Sequence, residues 1–268
     1  MKDPIALWLK YIKQAIRSQL QYRASFLMKV FGQLILHALE VVVVLALFDR
    51  FGALKGWRLP EVLLFYGIVN ISFAVAEGIG RGFDMFSHLV RSGDFDIMLL
   101  RPRSTALQVA VSDFQLMRLG RLIQGLAVLI WGMMAVDITW SASRIMIMLF
   151  SISGAICLFY GLFVLQATIS FWTIESLEVM NMFTYGGVQT TQYPLEIYQK
   201  WFRHFFIFII PLGCVTYFPV VAILGRPDTI FNSPFGLQIF TPLIGLIFLA
   251  ISLQVWQFGV KHYRSTGS

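Results

Sequence analysis

An all-α membrane protein with six transmembrane helices is the fold class this sequence predicts, and three observations predict it. Of 268 residues, 57% are hydrophobic and only 13% are charged, against about 25% charged in an ordinary soluble domain. The mean hydropathy is +0.73. Six apolar stretches reach or approach the ~20 residues a helix needs to cross a hydrocarbon core. So much apolar surface excludes a disordered chain and argues against a soluble one.

The expected spans are 26–48, 61–80, 122–138, 145–172, 205–224 and 235–260. Their orientation follows from positive charge, which accumulates on cytoplasmic loops. With the N-terminus inside, fifteen of the 21 Lys and Arg fall on the inner side. Only Arg50, Lys55, Arg58, Arg144 and Arg226 fall outside, and Lys29 snorkels inward from the first span. Both termini are therefore expected in the cytoplasm. In such a chain a net charge of +7 is a topology signal, and no nucleic-acid partner is expected. Cys157 and Cys214 lie in apolar runs, so neither a disulfide framework nor a metal site is read from them. No signal peptide is expected, because charges interrupt the first residues every few positions.

Segments between the spans carry the remaining information. In 1–23, Ile5, Leu9, Ile12, Ile16 and Leu20 recur at helical spacing, with Lys10, Lys13 and Arg17 between them. That pattern predicts a basic amphipathic helix lying along the cytoplasmic interface. The stretch 81–121 is long and polar, and its middle reads Gly93-Asp94-Phe95-Asp96-Ile97-Met98-Leu99-Leu100-Arg101-Pro102. Gly93 breaks a helix, Ser92 or Asp94 suits a cap, and Pro102 ends the new helix. The result is either a short helix that another protein can grip or a solvated loop with a buried Leu-Leu pair. The loop 173–204 is expected inside, with a break at Gly186-Gly187. In 205–235, Pro211, Gly213 and Pro219 interrupt an apolar run. This region reads as a broken fifth span, as short helices dipping from the outside, or as a Pro-kinked helix.

These residues resemble the permease subunits of ATP-binding-cassette exporters of the type-2 class. More narrowly, they resemble the branch with a Gly-Asp-Phe-Asp-x-x-Leu-Leu-Arg-Pro motif, here Gly93 to Pro102. The resemblance covers essentially the whole chain. It includes Tyr193-Pro194-Leu195 and Tyr217-Phe218-Pro219 ahead of Leu224-Gly225. It implies an interfacial N-terminal helix, a cytoplasmic coupling helix between spans two and three, and re-entrant helices before the last span. It also implies an assembly: two permeases, identical or homologous, with two copies of a cytoplasmic ATPase that bind ATP and Mg. The chain itself has no G-x-x-x-x-G-K-[ST] and is expected to bind no cofactor. A bacterial inner membrane is the implied location.

The expected ATPase-coupling residues are Gly93, Asp94, Phe95, Asp96, Leu99, Leu100, Arg101 and Pro102. Phe95 and Leu99, four apart, are expected to share a face and fill an apolar groove in the partner. Gly78, Gly80 and Gly82 are expected to absorb bending near the end of span two. Within the membrane, Gln33, His37, Glu40 and Glu77 are candidates for contact with substrate or the second permease, unless His37 and Glu40 satisfy one another. Glu77 is expected to pair with Arg81. Arg118 and Arg121 are read as topology charges. An integral membrane enzyme acting on lipids is the main rival, but His37, His88, His204 and His262 are scattered, with no H-E-x-x-H and no G-x-S-x-G. An ion-coupled transporter or channel is the other, and the matched interrupted repeats that such folds often carry are not found.

Overall fold

The computed structural model describes residues 13–14, 16–18, 21, 23–113, 118–173 and 177–263. The predicted interfacial helix over 1–23 lies mostly outside the described residues, and so does the C-terminal 264–268. Everything described is helix, turn or connection, apart from an isolated bridge between Leu54 and Trp57.

Helix α1 (Arg23–Phe51) leads through a turn at Gly52–Trp57 into α2 (Leu59–Asp84). Two short helices follow, α3 (Phe86–Arg91) and α4 (Asp94–Leu99), then α5 (Thr105–Ser112). Next come α6 (Leu119–Ala135), α7 (Ala142–Ile169) and α8 (Leu177–Thr191). Past a single 3-10 turn (Leu195–Ile197), α9 (Lys200–His204) continues into a wide turn at Phe205–Ile209. Helices α10 (Leu212–Val215), α11 (Tyr217–Leu224), α12 (Phe235–Phe240) and α13 (Leu243–His262) complete the chain.

Among the described residues, four helical stretches are long and apolar enough to cross a membrane: Arg23–Phe51, Leu59–Arg91, Ala142–Ile169 and Phe235–His262. The pair Lys200–Ile209 and Leu212–Leu224, bent by 77°, would make a fifth if counted as one span. The third expected span is the 17-residue α6, at the lower limit of what crosses a bilayer.

Helix α2 is the hub. It packs along α6 and α7, while α13 lies along α7 and α1 leans mainly on α6. Small residues allow these approaches, as in membrane bundles generally. A Cβ on Gly245 would sit 2.0 Å from the Gly154 carbonyl oxygen, so α13 and α7 touch backbone to backbone. A Cβ on Gly82 would sit 1.8 Å from the Val109 carbonyl oxygen. Gly82 therefore serves close approach to α5, and the helix holding Gly78, Gly80 and Gly82 runs unbroken to Asp84. The outward faces of α1 (Leu27, Phe31, Leu36) and α13 (Leu246, Ile247, Phe258) stay exposed.

The bundle has two ends, marked by Trp57 and by Phe95. The segment expected as an inner loop, 173–204, differs from expectation: α8 and the 3-10 turn after it connect the two ends. Near its start, Asn181 lines a cleft with Arg81 and Asp84. Tyr185 meets Phe73 and Glu77 midway. Just past its end, Glu196 accepts a hydrogen bond from Trp57 Nε1 at 2.9 Å. Lys200 and Arg203 thus follow a residue at the Trp57 end. The bent pair starts and finishes there as well. Tyr198 bonds the Thr190 carbonyl, Leu212 packs on Gly187 farther down, and Arg226 returns to Glu61. Of the forms expected for 205–235, the described residues show the broken one: two short helical arms bent by 77°, with their outer ends lying together.

Candidate functional site

The Gly93–Pro102 segment forms a compact elbow at the Phe95 end. Gly93 has φ +76°, a left-handed conformation that glycine adopts without a steric penalty, and it separates α3 from α4. The Ser92 hydroxyl donates to Asp94 Oδ2 at 2.6 Å. The helix ends after Leu99, and Gln108 of α5 donates to the carbonyls of Met98 and Arg103, closing the turn.

Phe95 is fully buried, at 0% exposure. Its ring lies 4.9 Å from Phe86, 5.1 Å from Tyr263, 5.6 Å from Phe171 and 6.2 Å from Trp256, mostly edge to face. Trp256 in turn donates to Thr105 Oγ1 at 3.2 Å. The expectation that Phe95 enters a groove of the partner is thus corrected: it anchors α4 to the ends of α7 and α13. Leu99, a turn later on a six-residue helix, is partly exposed and does not share that burial. The surface that faces away comprises Asp94, Ile97, Leu100, Arg101 and Pro102, with Leu100 85% exposed. Asp96 is half-buried.

A second constellation runs through the bundle. Tyr66, Asn70, Phe73 and Glu77 recur at four- and three-residue steps on one face of α2, opposite Arg118, Arg121 and Gln124 at three-residue steps along α6. Glu77, fully buried, pairs with Arg118 at 2.8 Å and accepts the Tyr185 hydroxyl at 2.9 Å. Arg121 donates to Asn70 Oδ1 at 2.9 Å and lies over the Phe73 ring at 4.5 Å. Gln124 donates to the Tyr66 hydroxyl at 3.0 Å, and that hydroxyl donates to Glu40 at 3.2 Å. His37 Nδ1 lies 3.4 Å from Glu40, so this pair does engage itself. Gln33 packs against Gly120. The expected Glu77–Arg81 pair is not formed, since Arg81 holds Asp84 instead. Arg118 and Arg121, read as topology charges, are interior side chains. Opposite charges and hydrogen bonds along the stripe make these charges tolerable in low dielectric, though Glu77 Oε2, Arg118 Nε and Gln124 Oε1 have no hydrogen-bond partner among the described residues. The stripe of Arg118, Arg121 and Gln124 ahead of an apolar run was the signal that could have located them.

A third cluster closes the Trp57 end. The Glu196 carboxylate accepts from Trp57, from the Tyr217 hydroxyl at 2.5 Å and from Thr229. Lys55 Nζ reaches the Glu196 and Ile197 carbonyls at 3.3 and 3.2 Å. Arg226 pairs with Glu61 at 2.7 Å and covers the Trp57 ring at 4.4 Å. Burial pushes the Tyr198 phenol up to about 12, so it remains a donor to the Thr190 carbonyl through the neutral range. Among the described residues, no group of three or more His, Cys, Asp or Glu could hold a metal ion.

Comparison with family models matches residues 34–267 to the ABC-2 family transporter protein model. No curated protein and no solved structure matches the chain. The match spans most of the 268 residues, so the chain belongs to the ABC-2 transporter family. It is a multi-pass membrane protein, the membrane component of a transporter.

Proposed function

We propose that this ABC-2 family member is the permease of an ATP-driven exporter, and that the elbow around α4 transmits the motion of a separate ATPase. The observation that carries the proposal is the contrast within one short helix. Phe95 is locked into the ends of α7 and α13, while Ile97 and Leu100 stand out at 54% and 85% exposure beside Asp94 and Arg101. An exposed apolar pair flanked by opposite charges suits a protein partner. The buried anchor makes the elbow a lever rather than a floppy loop.

In this reading the chain crosses the membrane six times, through α1, α2, α6, α7, α8 and α13. The bent pair α9–α11 dips from the outer side and returns, held by the Glu196 and Arg226 clasp. Irregular backbone survives at that depth only when shielded by protein. Cys214, Val215 and Tyr217 are buried there against the bundle. The Phe95 end faces the cytoplasm of a bacterial inner membrane, with both termini on that side. Two ATPase copies bind ATP and Mg, and this chain holds neither. A second permease, identical or homologous, and membrane lipid cover the exposed faces of α1 and α13. The cargo is amphiphilic.

The test is a mild-detergent pull-down of the chain expressed with its genomic neighbours, followed by mass spectrometry and an ATPase assay. A P-loop ATPase that copurifies, and is lost on Leu100→Asp together with Ile97→Asp, supports the reading. A stable chain without an ATPase partner overturns it.

A further inference from the structure

At the Phe95 end, a cleft of about 390 Å³ opens between the last turns of α2, the helices α3 and α7, and the start of α8. Arg81, His88 and Arg91 bring basic groups to its wall, and Ser87 and Asn181 bring neutral polar ones. Among the described lining residues Asp84 is the one carboxylate, and it is engaged twice, by Arg81 and by Gln166 Nε2 at 3.0 Å. With Asp84 and Arg81 offsetting each other, the charge of Arg91 is left over. The described lining is therefore net positive.

Two polar atoms of this wall have no partner among the described residues: Arg81 Nε and Gln166 Oε1. One is a donor and the other an acceptor. Gln166 is 1% exposed, and its amide nitrogen is committed to Asp84, so its oxygen cannot be satisfied by turning the amide over. A bare anion would answer Arg81 but not Gln166, which requires a donor. We infer that the cleft binds an anionic headgroup that also carries a hydroxyl, the phosphate lying against Arg81 and Arg91 and the hydroxyl reaching Gln166. Guanidinium groups suit phosphate oxygens through their forked N–H donors. Reaching either atom requires a small side-chain shift, because Arg81 Nε and Gln166 Oε1 are both themselves covered.

A membrane phosphodiester lipid and a soluble polyol phosphate share this chemistry. The exporter reading supplies only the side of the membrane on which the cleft lies; binding itself needs no ATPase. The site also bears on the elbow, since α3 forms one wall and continues through Gly93 into α4.

The test uses the purified chain in phosphatidylcholine nanodiscs, read by native mass spectrometry. Phosphatidylglycerol and phosphatidylethanol are titrated separately; both are anionic phosphodiesters, but only the first has a headgroup hydroxyl. Phosphatidylglycerol is expected to be retained at least roughly tenfold more tightly, with a hydrogen-bonding site rejecting the analogue that lacks the group. Gln166→Leu removes that preference, and Arg91→Glu weakens both lipids at least fivefold. Arg91 is on the surface, so the second variant stays informative if the first misfolds. Displacement of phosphatidylglycerol by millimolar glycerol 3-phosphate assigns the site to a soluble anion, and failure to displace it assigns the site to lipid. Equal retention of the two lipids, or wild-type binding by Arg91→Glu, overturns the inference. Failure of the exporter reading would be seen separately, as a missing ATPase in the pull-down.

Discussion

Replacing Phe95 by alanine separates an anchor from a contact residue. The side chain is fully buried against Phe86, Phe171, Trp256 and Tyr263. Truncating a buried phenylalanine costs ~3–5 kcal/mol, a transfer loss plus the cavity left behind. Part of this is the edge-to-face ring pairs, ~0.5–1.5 kcal/mol each. For chains near this size, ~2–4 °C of melting temperature is lost per kcal/mol, so the midpoint should fall by roughly 6–20 °C. Leu100→Asp is the control: its side chain is 85% exposed, and such surface changes cost at most ~0.5 kcal/mol. The assay is thermal unfolding of the purified chain in detergent, beside ATPase recovery in the pull-down. Phe95→Ala should lower the midpoint, and Leu100→Asp should lose the ATPase at an unchanged midpoint. A wild-type midpoint for Phe95→Ala with the ATPase lost would mean that Phe95 belongs to the interface, and the lever argument would fail.

Three further outcomes follow from the same geometry. Glu77→Gln strands Arg118 in the interior and should destabilise by ~3–5 kcal/mol, whereas Glu77→Gln with Arg118→Met should recover most of the loss; a thermal double-mutant cycle that comes out additive would show the pair to be uncoupled. Cysteine introduced at Lys200 should react with a membrane-impermeant maleimide from the same side as cysteine at Lys55, and from the side opposite to cysteine at Arg103; labelling of position 200 from the Arg103 side would sink the hairpin topology. Gly245→Val would place a Cβ 2.0 Å from the Gly154 carbonyl oxygen, forcing α13 off α7, and wild-type yield and melting temperature for that variant would show that the two helices do not meet there.

How much of this was legible in the sequence depends on what hydropathy measures. Apolar runs located α1, α2, α7 and α13, because those helices are long and carry apolar residues on several faces. The elbow was legible too, since Gly93 and Pro102 are local punctuation whose effect needs no tertiary partner. The burial of Phe95 was not legible, because Phe86, Phe171, Trp256 and Tyr263 reach it from three other parts of the chain. The contrast between α8 and the segment 205–224 has a plain cause. Helix α8 reads Leu-Glu-Val-Met-Asn-Met-Phe-Thr-Tyr-Gly-Gly-Val-Gln-Thr-Thr, too polar to register as a crossing, yet together with the turn after it this helix connects the two ends of the bundle. Several of its polar groups are met from within: Tyr185 bonds Glu77, and the Thr184, Thr190 and Thr191 hydroxyls bond their own helix's carbonyls. Meanwhile 205–224 is apolar nearly throughout but bends by 77° around Pro211. Apolarity reports what a segment can be buried in, and here the protein itself does much of the burying. The same reasoning explains Arg118 and Arg121. Counted singly they are loop charges that help to set orientation; as a stripe facing Asn70, Phe73 and Glu77 they are interior groups, and only the packing of α6 on α2 distinguishes the two.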